Sequence, residues 1–514
     1  MRFSRRRVLG HGAAAGLVAV GGTRWLAGKS NAFDAAGQRR PLRIPPLLEG
    51  TLRDGVKHFD MQIQSGISRF LPGRETPTIG VNGAFLGPTL RLHDGDLVAM
   101  NVSNSLPYDT TLHWHGMHVP AKADGGPHQV IKSGKKWSPS FEVRQKAALF
   151  WYHSHLMGET GAQVNLGLAG LILVDDKESG GLGLPSEYGI DDIPLVIQDR
   201  RFKADGSFAY VSSMHDEMAG FKGDTLLVNG TMRPFLTVKR SRTRLRLLNG
   251  SNSRIYNFGF NDGRSLLQIA SDGSLLERAV KRRRLRLAPG ERAEIIVDMA
   301  SDQTIKLMSY PDEAGGRGMM GGMMRRMVGN DETFEVLEMR AGRLEDAGSS
   351  IPDRLASLPD WQPDQAQRTR EFQLNMPMMG GMMGMMRGRG MMGRGSHGGG
   401  MHELMGINGK SMDLKRIDER VPSGAIEIWK IVNDTPFAHP FHIHDIQFRV
   451  LDRDGRAPAA HEHGLKDTVL VDSGETVRVI SKFGGYTDPD QPYMYHCHIL
   501  EHEDAGMMGQ FAMV

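Results

Sequence analysis

The residues of this chain best suited to chemistry fall into two groups, and only a fold that brings its two ends together can use them jointly. His113-Trp114-His115 and His153-Ser154-His155 lie in the first third. His439-Pro440-Phe441-His442-Ile443-His444 and His496-Cys497-His498, followed by His502 and Met507, lie in the last fifth. These clusters hold ten of the twenty histidines and the single cysteine of 514 residues. An isolated histidine is ordinarily a core or surface residue. Repeated H-x-H spacing is different, because alternate residues of a strand share a face and each triplet then presents two imidazoles together. Cys497 faces the other way from His496 and His498. One thiolate, imidazoles and a more distant thioether form the ligand set of a blue-copper electron-transfer site. A metal held by Cys497 is thereby wired covalently to whatever its two neighbours hold.

The chain also repeats itself. Val81-Asn82-Gly83, Val228-Asn229-Gly230 and Ile407-Asn408-Gly409 each open a turn. Each is followed by strand-like residues and a closing asparagine, Asn101, Asn249 or Asn433, at spacings of 19, 20 and 25. Three copies of one β-sandwich unit are predicted, with few helices and with linkers near 177–190 and 341–370. The histidine clusters fall in the first and third copies only. A site shared between those two, held in register by the middle one, is expected.

Ser4-Arg5-Arg6-Arg7-Val8-Leu9 and the Ala/Gly-rich run after it read as a twin-arginine export signal over residues 1–32. The run is too short and glycine-rich for a membrane span, so no stable anchor is expected. Six of the 63 basic residues lie in that leader, which has no acid. The remainder carries 57 basic against 59 acidic residues, which excludes a basic nucleic-acid binder. Lys281-Arg282-Arg283-Arg284-Leu285-Arg286 reads as a solvated strand edge. A single cysteine allows no internal disulfide, and metal ligation protects the thiol outside the cytoplasm.

The four clusters, with Asp124-Gly125-Gly126-Pro127, Gly167-Leu168-Ala169-Gly170-Leu171 and Glu501-His502-Glu503-Asp504, resemble the multicopper oxidases over nearly the whole chain after the leader. The nearest likeness is to the periplasmic cuprous oxidases among them. The resemblance implies an all-β chain of three cupredoxin-like Greek-key sandwiches with short helices, over residues 40–177, 190–340 and 365–514. It implies four copper ions. His439, Cys497 and His502, with axial Met507, correspond to the type 1 ligands, and His113 and His442 to the type 2 pair. His115, His153, His155, His444, His496 and His498 correspond to the type 3 ligands. Cys497 carries electrons between the sites, and Glu503 and Asp124 serve proton delivery to dioxygen or orient histidines.

Two segments are methionine-rich: 319–327, and 376–405 with eleven methionines. Thioethers are soft and favour Cu(I). Met376, Met378, Met379, Met382 and Met383 are the candidate substrate Cu(I) ligands, in a segment expected to cover the type 1 site. The expected activity is a periplasmic oxidation of Cu(I), and of phenols, by dioxygen, serving copper tolerance, in a monomer exported by the twin-arginine machinery. A laccase acting on organic reductants and a copper-sequestering protein remain the alternatives.

Overall fold

The computed structural model describes residues 38–312, 329, 331–346, 350–376 and 405–514. Strands dominate, and they assemble into six sheets, two in each of three layered units. In the first unit, one sheet runs through Ser140–Glu142, Leu97–Asn104, Val56–Ser68 and Thr51–Arg53. The other runs through Leu47–Leu48, Thr89–His93, Ala169–Asp175, Ala148–His153 and, at its edge, His113–His115. In the third unit the corresponding sheet contains Met508–Met513, Tyr493–Cys497, His439–Ile443 and Thr468–Val471 as neighbours. Each unit encloses its own apolar core, built around residues such as Trp114 and Phe150, Tyr256 and Ile295, or Trp429 and Phe511.

The repeat seen in the sequence corresponds to a repeated physical device. Asn82, Asn229 and Asn408 all adopt positive φ, at 52°, 49° and 53°. Each side chain accepts from one backbone N–H of a neighbouring strand (Gln62, Val196, Gln373) and donates to a carbonyl two residues before it (Asp60, Pro194, Glu371). The closing asparagines also match, with one correction. Asn249 and Asn433 accept from the N–H two residues on and donate to two or more backbone carbonyls. In the first unit that role belongs to Asn104, which accepts from Leu106 and donates to Tyr108 and Ile131. Asn101 instead donates to Asp60 Oδ1, opposite it on the neighbouring strand Val56–Ser68.

The stretches read as linkers are packed. The strand Phe334–Glu345 extends into the second of them, and Ile351, Leu355, Ala356 and Leu358 pack with Ile269 and Ile296 of the middle unit. Arg40–Pro41 pairs with Pro234–Phe235, so the chain enters along the middle unit before beginning the first. Leu149, Trp151 and Leu171 pack on Val196 and Leu248, which buries the seam between first and middle units. Burial of this kind, at about 25 cal/mol per Å², is what holds the units in fixed relation.

Candidate metal centres

Strand register brings the histidines together in pairs. Antiparallel pairing sets His113 opposite His153 in the first unit, and His442 opposite His496 in the third. The two histidine-bearing edges then face each other across the interface between units. His113 stacks on His444 with ring centroids 3.9 Å apart, and His115 on His442 at 3.7 Å. Thus 113–115 and 153–155 do meet 442–444 and 496–498, as the sequence requires. Within the first unit, Gly125 lets the Asp124 loop pack on the chain entering His113: its φ is 77°, and a Cβ there would lie 1.8 Å from the Leu112 carbonyl oxygen.

All eight of these imidazoles are buried. For most of them, one ring nitrogen is tied to an oxygen, which fixes the tautomer and aims the other nitrogen inward. His113 Nδ1 donates to the Asp124 carbonyl at 2.9 Å, His153 Nδ1 to Ser154, His442 Nδ1 to the Asp467 carbonyl at 2.8 Å and His496 Nδ1 to the Cys497 carbonyl. His444 Nδ1 donates to Asp124 Oδ2 at 2.8 Å. His115 is reversed, with Nε2 donating to Asp467 Oδ1 at 3.0 Å. The opposite nitrogens of His113, His115, His153 and His442, and both nitrogens of His498, have no hydrogen-bond partner among the described residues. His496 Nε2 lies 3.2 Å from both His155 Nε2 and His444 Nε2. Buried, unpartnered lone pairs converging this closely are costly unless a cation sits among them. Ligand atoms of His113, His115 and His153, of His113, His442 and His444, and of His155, His444 and His496 form groups within 4.8 Å.

A second group lies on the other side of the strand ending at Cys497. Cys497 Sγ is 3.4 Å from His439 Nδ1 and 3.7 Å from His502 Nδ1, and those two nitrogens are 3.3 Å apart. His502 Nε2 donates to the Met218 carbonyl and His439 Nε2 contacts Thr435 Oγ1, leaving both Nδ1 atoms for the sulfur's side. Met507 is fully buried in the same core, and its carbonyl accepts from the Cys497 N–H. Burial pushes the thiol pKa up in the metal-free protein. The Ile499 N–H donated to Sγ works against that shift.

Glu503 is buried with its two oxygens 3.2 and 3.3 Å from His155 Nδ1 and His496 Nδ1. Burial, reinforced by Asp504, holds its carboxyl well above the usual range. Asp124 links His113, through its carbonyl, to His444, through Oδ2, and its Oδ1 lies 3.4 Å from His113 Nδ1. The short helix Leu500–Asp504 is pinned from both sides. Glu501 accepts from Tyr210, Asn252 and the Phe221 N–H of the middle unit; Asp504 accepts from the Thr160 and Gly161 N–H groups of the first. Met376 is half-buried against the core that contains Cys497. Met378, Met379, Met382 and Met383 lie outside the described residues. Sequence reasoning missed Asp467, Thr435 and Met218. The last acts through a backbone carbonyl, which leaves no mark on residue type.

Removing bound metal should expose a specific pH dependence. Burial lowers the pKa of nine of the ten histidines, with His496 near about 3 and His502 near about 4, against 6.5 for a free imidazole. Below pH 6.5 the unfolded chain binds protons that the folded chain refuses, so stability falls as pH falls. Glu501 and Asp504 are pushed up to about 7 and about 8 by burial, so folding holds protons that the unfolded chain loses, and stability falls as pH rises toward 8. The histidines outnumber the acids. The metal-free protein is therefore expected to melt highest near pH 6.5, lower by pH 8 and lowest at pH 4.5, as read by thermal unfolding.

Comparison with known proteins agrees with this geometry. Residues 62–179 and 372–514 each match a family model described as multicopper oxidase. The multicopper oxidase mco of Staphylococcus aureus is 35% identical over 89% of this chain and 88% of its own. A protein named cell division protein FtsP from Escherichia coli is 35% identical over 93% of each chain. Among solved structures, a laccase-like multicopper oxidase CueO from Ochrobactrum sp., described as oxidising lignin model compounds and lignosulfonate, superposes with a TM-score of 0.79. It is 36% identical, over 92% of this chain and all of that one, and the expected cupredoxin-like all-β fold is the fold found.

Proposed function

This chain belongs to the multicopper oxidase family, copper-dependent oxidases that use dioxygen, and on that premise we propose that it oxidises Cu(I), with phenols as secondary substrates. The observation that carries the reading is the convergence of ten imidazoles and Cys497 with lone pairs aimed inward and few other partners. His439, Cys497 and His502, with Met507, would hold the type 1 ion, and His113 and His442 the type 2 ion. His115, His153, His155, His444, His496 and His498 would hold the type 3 pair. Bound copper supplies one-electron redox chemistry, accepting electrons singly from the reductant and passing four, with four protons, to dioxygen to give two waters.

The chain's own residues make that coupling possible. Cys497 and its two flanking peptide units are the shortest covalent link between the groups. Burial around Cys497 keeps water from the sulfur. Glu503, its carboxyl pKa raised by burial and its oxygens within 3.3 Å of His155 and His496, is suited to deliver a proton, and Asp124 to orient His113 and His444.

The preference for Cu(I) over phenols rests on soft thioethers. Met376 and Met218, half-buried against the Cys497 core, support a Cu(I) approach route, and the sequence of 377–404 adds further methionines. The leader supports export to the periplasm by the twin-arginine route, where a copper-tolerance role fits. No helix among the described residues is long and apolar enough to cross a membrane. Action on organic reductants is the second reading, favoured by the Ochrobactrum relative's described activity. Oxygen uptake with Cu(I) and with a phenol, before and after deletion of 376–405, separates the two. The expected result is a Cu(I) kcat/KM lower by about tenfold, or about 1.4 kcal/mol of transition-state binding, with phenol oxidation kept. Unchanged Cu(I) oxidation would remove the recruitment role.

A further inference from the structure

The middle unit supplies none of the ten histidines, yet its turn Pro289–Arg292 reaches the point where the other two units meet. A Cβ on Gly290 would stand 3.0 Å from the His498 ring, so the turn lies directly against that imidazole. Arg292 is fully buried, and its guanidinium touches all three units. Nε donates to the Leu149 carbonyl of the first unit at 2.9 Å. Nη1 and Nη2 donate to the Gly290 and Asp272 carbonyls of its own unit. The same two nitrogens form a fork on Asp467 of the third unit, at 2.7 Å to Oδ1 and 2.6 Å to Oδ2.

Asp467 passes that constraint to two histidines from different units. Its Oδ1 accepts from His115 Nε2 at 3.0 Å, and its carbonyl accepts from His442 Nδ1 at 2.8 Å. The carboxylate thus selects for His115 the tautomer whose inward nitrogen is Nδ1, whereas its neighbours His113, His153, His442 and His444 are gripped by Nδ1. The pocket has no slack, since a Cβ on Gly116 would lie 2.3 Å from Asp467 Oδ2 and 2.9 Å from Arg292 Nη2. Beside it, Lys466 pairs with Asp272 at 2.8 Å and Glu291 at 3.2 Å, so the remaining buried charges are matched across the same seam. A planar fork with every N–H direction engaged fixes orientation in a way that a single ammonium does not.

We propose that Arg292 is a positioning residue: through Asp467 it sets the tautomer and orientation of His115 and His442, so that the middle unit governs filling of the copper cluster without contributing a ligand. The proposal rests on the reading of those histidines as copper ligands. Two variants test it, Arg292→Lys, which keeps the charge but loses the fork, and Asp467→Asn, which keeps the shape but loses the charge. Each is loaded with copper below its melting temperature. Copper per chain, the electron paramagnetic resonance spectrum of the non-blue copper and the blue absorption are compared with the unsubstituted protein.

Both variants are expected to keep the blue band while copper affinity of the shared cluster drops about ten- to hundredfold and the non-blue spectrum changes. Full copper content with an unchanged spectrum in both, even with a lower melting temperature, would overturn the proposal and mark Arg292 as a strut. Loss of the blue band in parallel with the rest would overturn it equally. An unsubstituted protein that itself takes up fewer than four coppers would instead sink the underlying site reading.

Discussion

Cys497→Ser is expected to abolish the blue absorption and remove nearly all turnover, while the chain still folds and still binds copper at the shared cluster. Serine is close to isosteric, so the strand Tyr493–Cys497 and its pairing with Met508–Met513 should persist. The hydroxyl has neither the softness of a thiolate nor its low cost of deprotonation. His439 and His502 remain 3.3 Å apart but face no sulfur, and the only short covalent bridge to His496 and His498 no longer bears a ligand. The loss should exceed the ten- to hundredfold (about 1.4 to 2.7 kcal/mol) that outer hydrogen-bond partners of a metal site are worth. Steady-state oxygen uptake and the visible spectrum check it; retained turnover would refute the path through this residue.

Glu503→Gln should leave the blue band and copper content intact and slow oxygen reduction by about a hundredfold, the lower range for a positioned acid. Glutamine keeps the volume between His155 and His496 but holds no transferable proton. The effect should appear in the half-reaction with oxygen. Protein bleached by reductant and then mixed with oxygen should recover its colour about a hundred times more slowly, while bleaching itself is unchanged. Recovery at the original rate would leave Glu503 only an orienting role.

What the sequence disclosed and what it hid divide along a physical line. H-x-H spacing could be read because strand geometry puts His113 and His115 on one face; His155 lies two residues past the strand that ends at His153, yet its ring still stacks beside that of His153. The three Asn-Gly turns could be read because positive φ restricts residue choice. The closing asparagine of the first unit was misplaced by three residues because Asn101 and Asn104 lie in one strand, and spacing cannot say which reaches the turn. Asp467 and Arg292 were invisible as partners because they lie 175 residues apart in the chain and meet only when the middle and third units dock. Arg292 follows a Pro-Gly turn after a basic strand, and its immediate neighbours in the chain give no sign of the distant partner. The linkers looked free because Gly, Ser and Pro conceal how Leu355 and Leu358 pack on the middle unit.

The central claim is that histidines from the two ends of the chain hold metal in common. Anomalous X-ray scattering at the copper edge, from crystals of the copper-loaded protein, measures this directly. The account predicts four peaks, one between His439, Cys497 and His502 and three among His113, His115, His153, His155, His442, His444, His496 and His498. No peak between the histidines of the first and third units, with copper found only along the methionine-rich segment, would contradict it.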